Sequence, residues 1–159
     1  MDQKKPVQVT NLEAVYGAPS QAGFGSAVFY VPTADSMDLT QMALDHYKYF
    51  VGDLWARYGE DAWMGPWKTV YTRSPDANHD IVAELRGIAD PDAAFSVPMI
   101  VDDLEDAALA QTALAAAFDD PDMRDVRVFN LGDSAAMSGL LIAGRRTTGE
   151  TLMLVFLLD

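Results

Sequence analysis

The last stretch of the chain, Met137 to Asp159, places the strongest constraint on the fold. Residues 140–143 form an apolar run, a short Gly-containing link follows at 147–150, and residues 152–158 return without a polar side chain. Two β-type runs joined by such a link predict a hairpin. The second arm is apolar on both faces of its pleat, whereas a strand with one face in water alternates. We therefore expect this arm inside a sheet, covered above and below.

The preceding residues have to supply that cover. Apolar residues recur at helical spacing over residues 37–58 and again over residues 103–118, and both segments predict helices. Gly59 ends the first of them in the manner of a C-terminal glycine. The other predicted elements are strands at residues 7–16, 26–31, 68–73, 95–101 and 124–131, with Pro98 favouring an edge position, and a short helix at residues 81–88.

These elements predict an α+β fold in a single domain spanning residues 1–159. We expect a single mixed or mainly antiparallel sheet with the C-terminal β-meander at its centre, covered by the helices at 37–58 and 103–118. The order of helices first and meander last is also similar to NTF2-like and cystatin-like folds. That resemblance implies a curved sheet wrapped around its helices, and it is the alternative.

Net charge excludes some partners and favours another. The chain carries −13, from 24 acidic and 11 basic residues, and it has no cysteine. Such a field repels phosphate groups, so we expect no binding to nucleic acid or to anionic membranes, and a basic protein as the possible partner. The sequence shows neither a signal peptide nor an apolar run long enough to span a membrane. A cytoplasmic protein is therefore predicted.

Residues 128–134, Val-Phe-Asn-Leu-Gly-Asp-Ser, resemble the strand-then-GDS block of the GDSL family of serine hydrolases. In that family a histidine downstream of the block supplies the base. Here both His46 and His79 precede Ser134. Because a serine hydroxyl needs an oriented base to act as a nucleophile, we interpret the block as a turn.

Acidic clusters are the other motif in which chemistry could lie. Asp102 and Asp103 resemble the acidic pair that ends the first strand of receiver domains, but no lysine follows Lys68 to complete that site. We interpret the pair as caps of the helix at 103–118. The acids at 119–125 lack the glycine and the terminal glutamate of a calcium loop. We therefore predict no metal and no cofactor.

An aromatic cluster is the first candidate contact site. Trp63, Trp67 and Tyr71 concentrate around a Gly-Pro break, and His46 and Arg73 are expected near them. Large rings of this kind anchor protein interfaces and line ligand pockets, although they also plug the ends of cores. We predict that the link from Trp63 to Trp67 is at least partly exposed, since a chain break of this kind lies at the surface.

Arg145 is the second candidate. It is followed directly by Arg146 at the end of a strand, so the two side chains point to opposite faces. One of them can therefore reach inward to a carboxylate of this chain or of a ligand.

Two classes of function follow from these observations. The first is a non-catalytic binding or regulatory protein, similar to small inhibitor and immunity proteins, whose acidic surface meets a basic partner. The second is a small-molecule pocket protein, or an enzyme, with an aromatic-lined site. A deep pocket containing a perturbed carboxylate or histidine favours the second class, and a flat or convex acidic and aromatic patch favours the first.

Overall fold

The described residues form seven helices and five strands in alternating groups. The structure is a computed structural model, and it describes residues 6–18, 25–32, 38–65, 67–74, 76, 79–132 and 137–158. The helices are α1 (Val7–Tyr16), α2 (Leu39–Val51), α3 (Asp53–Tyr58), α4 (Glu60–Met64), α5 (Ile81–Arg86), α6 (Pro91–Val101) and α7 (Ala107–Phe118). The strands are β1 (Gly25–Val31), β2 (Lys68–Thr72), β3 (Met123–Asn130), β4 (Ser138–Arg146) and β5 (Thr151–Leu158).

The strands form one open antiparallel sheet in the order β1-β5-β4-β3-β2. The chain thus has the predicted α+β fold, with the meander of β3, β4 and β5 occupying the centre of the sheet. The predicted hairpin is confirmed as β4 and β5. Strand β5 lies between β1 and β4, and residues 151–157 are all buried.

Helices cover both faces of this sheet, so the core has two halves. On one face, α1, α5, α6 and α7 enclose side chains such as Val128, Ile142 and Leu154. On the other, α2, α3 and α4 enclose side chains such as Phe129, Leu141 and Val155. No helix in the described part of the chain is both long and apolar enough to cross a membrane.

The predicted strand at residues 7–16 is wrong, because this segment is helix α1. Its buried residues Val9, Leu12 and Tyr16 follow a spacing of three and four and pack against α7. The Tyr16 hydroxyl donates a hydrogen bond to the Ile100 carbonyl at 2.6 Å. Tertiary packing therefore overrides the β preference of the three valines in this segment.

The predicted strand at residues 95–101 is also wrong, because these residues belong to helix α6. Asp90 accepts hydrogen bonds from the first-turn amides of residues 92 and 93, and Pro91 takes a position where no amide donor is needed. The buried residues are those at positions 93, 96, 97, 100 and 101, which is a helical pattern. Pro98 lies on the exposed side, where water can reach the carbonyl that a proline leaves without a donor.

The helix predicted at 37–58 starts later and is broken. Its N-cap is Asp38, whose side chain accepts hydrogen bonds from the amides of Thr40 and Gln41. Gly52 has φ 65° and ψ −135°, which ends α2 and lets α3 begin in a new direction. The helix predicted at 103–118 begins at Ala107, and its cap is Asp106 rather than Asp102 or Asp103.

Two leucines of β5 test the two-sided burial. Leu154 packs in the half of the core under α1 and α7, and Leu157 packs in the half under α2. We expect Leu154→Ala and Leu157→Ala each to lower the free energy of unfolding by about 3 kcal/mol, because each leaves a cavity in a packed core. Urea unfolding followed by tryptophan fluorescence measures the loss.

Leu158 is the matched control on the same strand, since it is 41% exposed. Leu158→Ala should cost less than about 1 kcal/mol. A large loss for only one of the two buried leucines would mean that β5 has one face in water.

Candidate partner-binding surface

The two tryptophans that were predicted as contact residues, Trp63 and Trp67, belong to the half of the core that is covered by α2. Trp63, on α4, is 2% exposed, and its indole N–H donates to the Leu54 carbonyl at 3.1 Å. Trp67 is half-buried, stacked on Tyr47 at 5.3 Å and on Phe129 at 4.8 Å between ring centroids. The described residues of the link between the tryptophans are partly exposed, as predicted. The Trp63 ring is buried, because it packs in the core beneath α4.

Tyr71 and Arg73 lie at the end of β2 in a polar cluster. Arg73 is 4% exposed, and its guanidinium donates to Glu84 through Nε at 2.9 Å and to Asp119 at 3.1 Å. It also donates to the Phe118 carbonyl at 2.7 Å, and the Tyr71 hydroxyl donates to Glu84. The cluster thus joins β2 to α5 and to the end of α7.

The two carboxyl groups in this cluster differ in their pKa. Burial opposes ionisation of Glu84, but hydrogen bonds from Arg73 and Tyr71 outweigh it and hold the pKa of Glu84 below its ordinary value of 4.5. For Asp119, burial dominates over the hydrogen bonds from the Ile81 amide and Arg73, so its pKa is raised above 3.8. Burial and the hydrogen bond to Glu84 raise the pKa of Tyr71 to about 12.

His46 lies on α2, and Arg145 reaches the same helix from β4. His46 Nδ1 lies 2.9 Å from the Met42 carbonyl oxygen, which can only accept, so this nitrogen carries the hydrogen. Arg145 donates to the Thr151 hydroxyl at 3.2 Å and points a terminal nitrogen at the Met42 sulfur, 3.8 Å away.

The six predicted contact residues are therefore not gathered into one site. Trp63, Trp67, His46 and Arg145 belong to the α2 face of the sheet, and Tyr71 and Arg73 belong to the Glu84 cluster. Their role in contacting a ligand or partner stays a prediction. All six have hydrogen bonds or stacking contacts within the fold.

A cleft of about 200 Å³ opens beside Arg73. His79, Arg124 and Thr147 contribute to its wall, and the carboxyl groups of Glu84 and Asp119 do not. Among the described residues, no group of three or more histidine, aspartate or glutamate side chains is placed to hold a metal ion. No carboxylate is present among the described residues that line the cleft.

The acidic charge is concentrated in residues 79–122, whose helices cover the face of the sheet opposite to α2. Residues 79–122, which contain α5, α6 and α7, hold 11 of the 24 acids and one of the 11 bases, a net charge of −10. Residues 123–159, which contain β3, β4 and β5, hold four acids and four bases. The charge of −13 is thus not spread evenly over the protein.

Most acids of this layer have a partner within the fold. Asp80, Asp90 and Asp106 cap α5, α6 and α7. Asp102 binds Arg86 at 2.6 Å between half-exposed side chains. Asp103 and Glu105 are different: both are exposed, and in the part of the chain that the structure describes neither carboxylate has a hydrogen bond or an ion pair.

An exposed aromatic residue lies on α6, the helix that precedes these acids. Phe95 is 52% exposed, and it shares the outer face of α6 with Pro98 and with Asp102 at the end of the helix, at a spacing of three and four residues. The amide of Asp103 donates to the Pro98 carbonyl at 2.8 Å and so holds the acidic segment against this face. We call Phe95, Pro98, Asp102, Asp103 and Glu105 the acidic–aromatic patch.

Sequence reasoning missed this patch because it placed Phe95 on an edge strand. On a strand, Phe95 and Pro98 point to opposite faces, whereas on a helix they share one. The signal that could have found it is the sequence Asp90-Pro91-Asp92, which is a helix start with a cap and a first-turn proline rather than a breaker.

No protein-family profile matches the sequence, and no curated protein is significantly similar to it.

The burial of Trp63 has a direct consequence for stability. We expect Trp63→Ala to lower the free energy of unfolding by about 3–5 kcal/mol, as for other large rings removed from cores. Tyr58 packs against Trp63 but is 61% exposed, so Tyr58→Ala is the control and should cost less than about 1 kcal/mol. Thermal and urea unfolding measure both variants. If Trp63→Ala and Tyr58→Ala lost the same free energy of unfolding, the assignment of Trp63 to the core would be contradicted.

The Arg73 cluster predicts a pH dependence with a definite sign. The pKa of Glu84 is lower in the folded state, so its ionised form stabilises the protein above about pH 4.5, and that contribution is lost as the pH falls through the folded value. Glu84→Gln breaks a buried pair and should cost about 3 kcal/mol at pH 7. The difference in free energy of unfolding between wild type and Glu84→Gln should become smaller as the pH is lowered.

Asp119→Asn is the matched variant with the opposite sign. Because the pKa of Asp119 is raised in the folded state, its contribution to stability is lost as the pH rises through that value. The stability gap between wild type and this variant should therefore narrow towards neutral pH. Urea unfolding at a series of pH values from 3 to 7 measures how the stability loss of each variant depends on pH. If the losses of Glu84→Gln and Asp119→Asn changed with pH in the same direction, the opposite pKa shifts of the two carboxyl groups would be refuted.

Proposed function

We propose that this protein is a non-catalytic binding or regulatory protein that docks a basic protein partner on its acidic–aromatic patch, as inhibitor- and immunity-like proteins do. The observation that carries the proposal is the net charge of −10 on residues 79–122, within which Asp103 and Glu105 have no bonding role in the described fold. We expect a cytoplasmic location and no binding to nucleic acid.

The patch combines the two features that protein interfaces need. A partly exposed phenyl ring at Phe95 supplies an apolar anchor, and anchors of this type carry most of the binding energy in an interface. The surrounding carboxylates supply long-range attraction, which raises the association rate with a basic partner and rejects acidic ones. The only base in residues 79–122, Arg86, is held by Asp102.

The alternative, a small-molecule pocket protein or enzyme with an aromatic-lined site, has less support at the Arg73 cleft. Both perturbed carboxyl groups, Glu84 and Asp119, are bonded to Arg73 and lie outside the wall of that cleft. Tyr71, the aromatic residue of the cluster, is engaged with Glu84.

A photo-crosslinking amino acid at position 95 tests the proposal. We expect it to capture a protein of basic isoelectric point, identified by mass spectrometry, whose affinity for the purified chain falls as salt rises. The variant Phe95→Ala, Asp103→Asn, Glu105→Gln should then weaken binding of that protein by about thirtyfold or more.

The matched control places the crosslinker at Tyr58, on the opposite layer and of similar exposure. It combines Tyr58→Ala with Asp53→Asn and Asp61→Asn, which remove the same number of charges. Capture at both positions alike, or binding that neither salt nor the patch variant changes, would rule out the patch as the docking site.

A further inference from the structure

A shallow depression opens between α2 and the edge strand β1, on the face of the sheet opposite to the acidic–aromatic patch. Its volume is about 360 Å³, and Phe29, Asp45, His46 and Tyr49 line it. We call it the α2–β1 depression. Of the four described side chains that line it, three carry aromatic rings and one is a carboxylate.

The rings stand at steep angles to one another. The Phe29 ring lies 5.3 Å from the His46 ring at 61° and 5.9 Å from the Tyr49 ring at 87°. Phe29 is 5% exposed and forms the floor, whereas Tyr49 is 52% exposed and forms a wall. Tyr49 is thus the ring most open to solvent, and the face of such a ring attracts a cation.

The lining side chains are held in place by the helix. Nδ1 of His46 is fixed by the Met42 carbonyl at 2.9 Å, which orients the imidazole ring. Asp45 precedes Tyr49 by one helical turn, so its carboxylate lies beside the phenol ring. Gln41 donates to one oxygen of Asp45 at 3.0 Å and steadies that carboxylate from the preceding turn.

Two bases on this face of the sheet have contacts other than Asp45. Lys48 lies over the Trp55 ring, 5.6 Å from its centroid, and Arg145 reaches the Met42 sulfur. Among the residues that the structure describes, Asp45 has no ion pair. The depression is therefore an exposed anion framed by aromatic rings.

We propose that the α2–β1 depression binds an alkylguanidinium group, as carried by an arginine side chain. A guanidinium is planar and weakly hydrated, stacks on aromatic faces and pairs with a carboxylate through two parallel N–H bonds. These properties match the Phe29 and Tyr49 rings and the Asp45 carboxylate together. A neutral ligand leaves Asp45 unpaired, and an anion is repelled by it. This site is separate from the acidic–aromatic patch and does not depend on the proposed function.

Titration of the whole chain with N-acetyl-arginine amide, followed by NMR, tests the proposal. We expect saturable shifts at Phe29, Asp45, His46 and Tyr49, with a dissociation constant on the order of millimolar for a single side chain. The neutral analogue N-acetyl-citrulline amide has the same shape without the charge and should produce no saturable shift. Asp45→Asn and Tyr49→Leu should each weaken arginine binding by about fivefold or more.

The controls use surface residues outside the depression. Asp53→Asn and Tyr58→Ala, on the same helix layer, should leave binding of the arginine probe unchanged, as should the Phe95→Ala, Asp103→Asn, Glu105→Gln variant. Because the probe is a small molecule, a failure to find a protein partner does not affect this result.

Two further probes distinguish the sources of the guanidinium. Binding of the tripeptide acetyl-Gly-Arg-Gly-amide at least as tight as that of propylguanidinium supports an arginine of a protein. Binding of propylguanidinium alone supports a free guanidinium compound. The proposal is overturned if no probe saturates, if citrulline binds as tightly as arginine, or if neither Asp45→Asn nor Tyr49→Leu weakens binding.

Discussion

Strand β5 carries large apolar side chains on both faces of its pleat, and each face has to be kept from water by a separate layer of helices. The antiparallel neighbours β1 and β4 satisfy its backbone, and the two helix layers cover its side chains. The fit is close. A Cβ at Gly139, on β4, would lie 2.5 Å from the Phe156 carbonyl oxygen, and one at Gly144 would lie 2.6 Å from the Met123 sulfur. Glycine is therefore required at Gly139, where the nearest atom belongs to the backbone of β5, whereas at Gly144 the Met123 side chain would have to move.

The edges of the sheet depend on polar contacts instead. At β1, the Val28 amide donates to the Gly17 carbonyl at 2.9 Å, and the Ser26 hydroxyl donates to the Tyr16 carbonyl. The end of α1 thus protects part of this edge from pairing with another chain. At the other edge, the Arg73 cluster ties the end of β2 to α5 and α7. Because Arg73 is buried between two carboxylates, Glu84 and Asp119, loss of either one leaves its charge only partly compensated, and the cluster is sensitive to pH.

The central part of the fold was predictable because its signal is local. The β4–β5 hairpin follows from two apolar runs joined by a short turn, and the strand at β3 follows from alternating polar and apolar residues. The segments at 7–16 and 95–101 are different, since their valines, isoleucine and phenylalanine favour strands while their burial follows helical spacing. Packing of α1 against α7 and of α6 against β4 decides both cases, and a single sequence does not contain those contacts.

The break at Gly52 has a similar cause. The apolar stripe continues through it from Phe50 to Trp55, so periodicity predicts one helix, and only the positive φ of the glycine shows two. The candidate sites also depended on packing that the sequence pattern does not show. Trp63 was prominent by type but is buried, and Phe95 was assigned to the wrong element, so its place beside Asp102 could not be seen. Tyr49 and Phe29 come from different elements, and only the packing of α2 on β1 brings their rings together.

The distribution of charge separates solubility from binding. A solubilising coat needs only net charge, and it is least costly when like charges are spread apart. Here one layer of helices carries −10 while residues 123–159 are balanced, so the acids of that layer repel each other at close range. Helix caps and ion pairs explain Asp80, Asp90, Asp102 and Asp106, because each lowers the cost of its own charge. Asp103 and Glu105 add repulsion without a compensating bond in the described fold, and they follow directly on α6, the helix that carries the exposed Phe95 ring. A basic partner would compensate both charges and cover the ring, which is why we propose the surface at the end of α6 as the docking site.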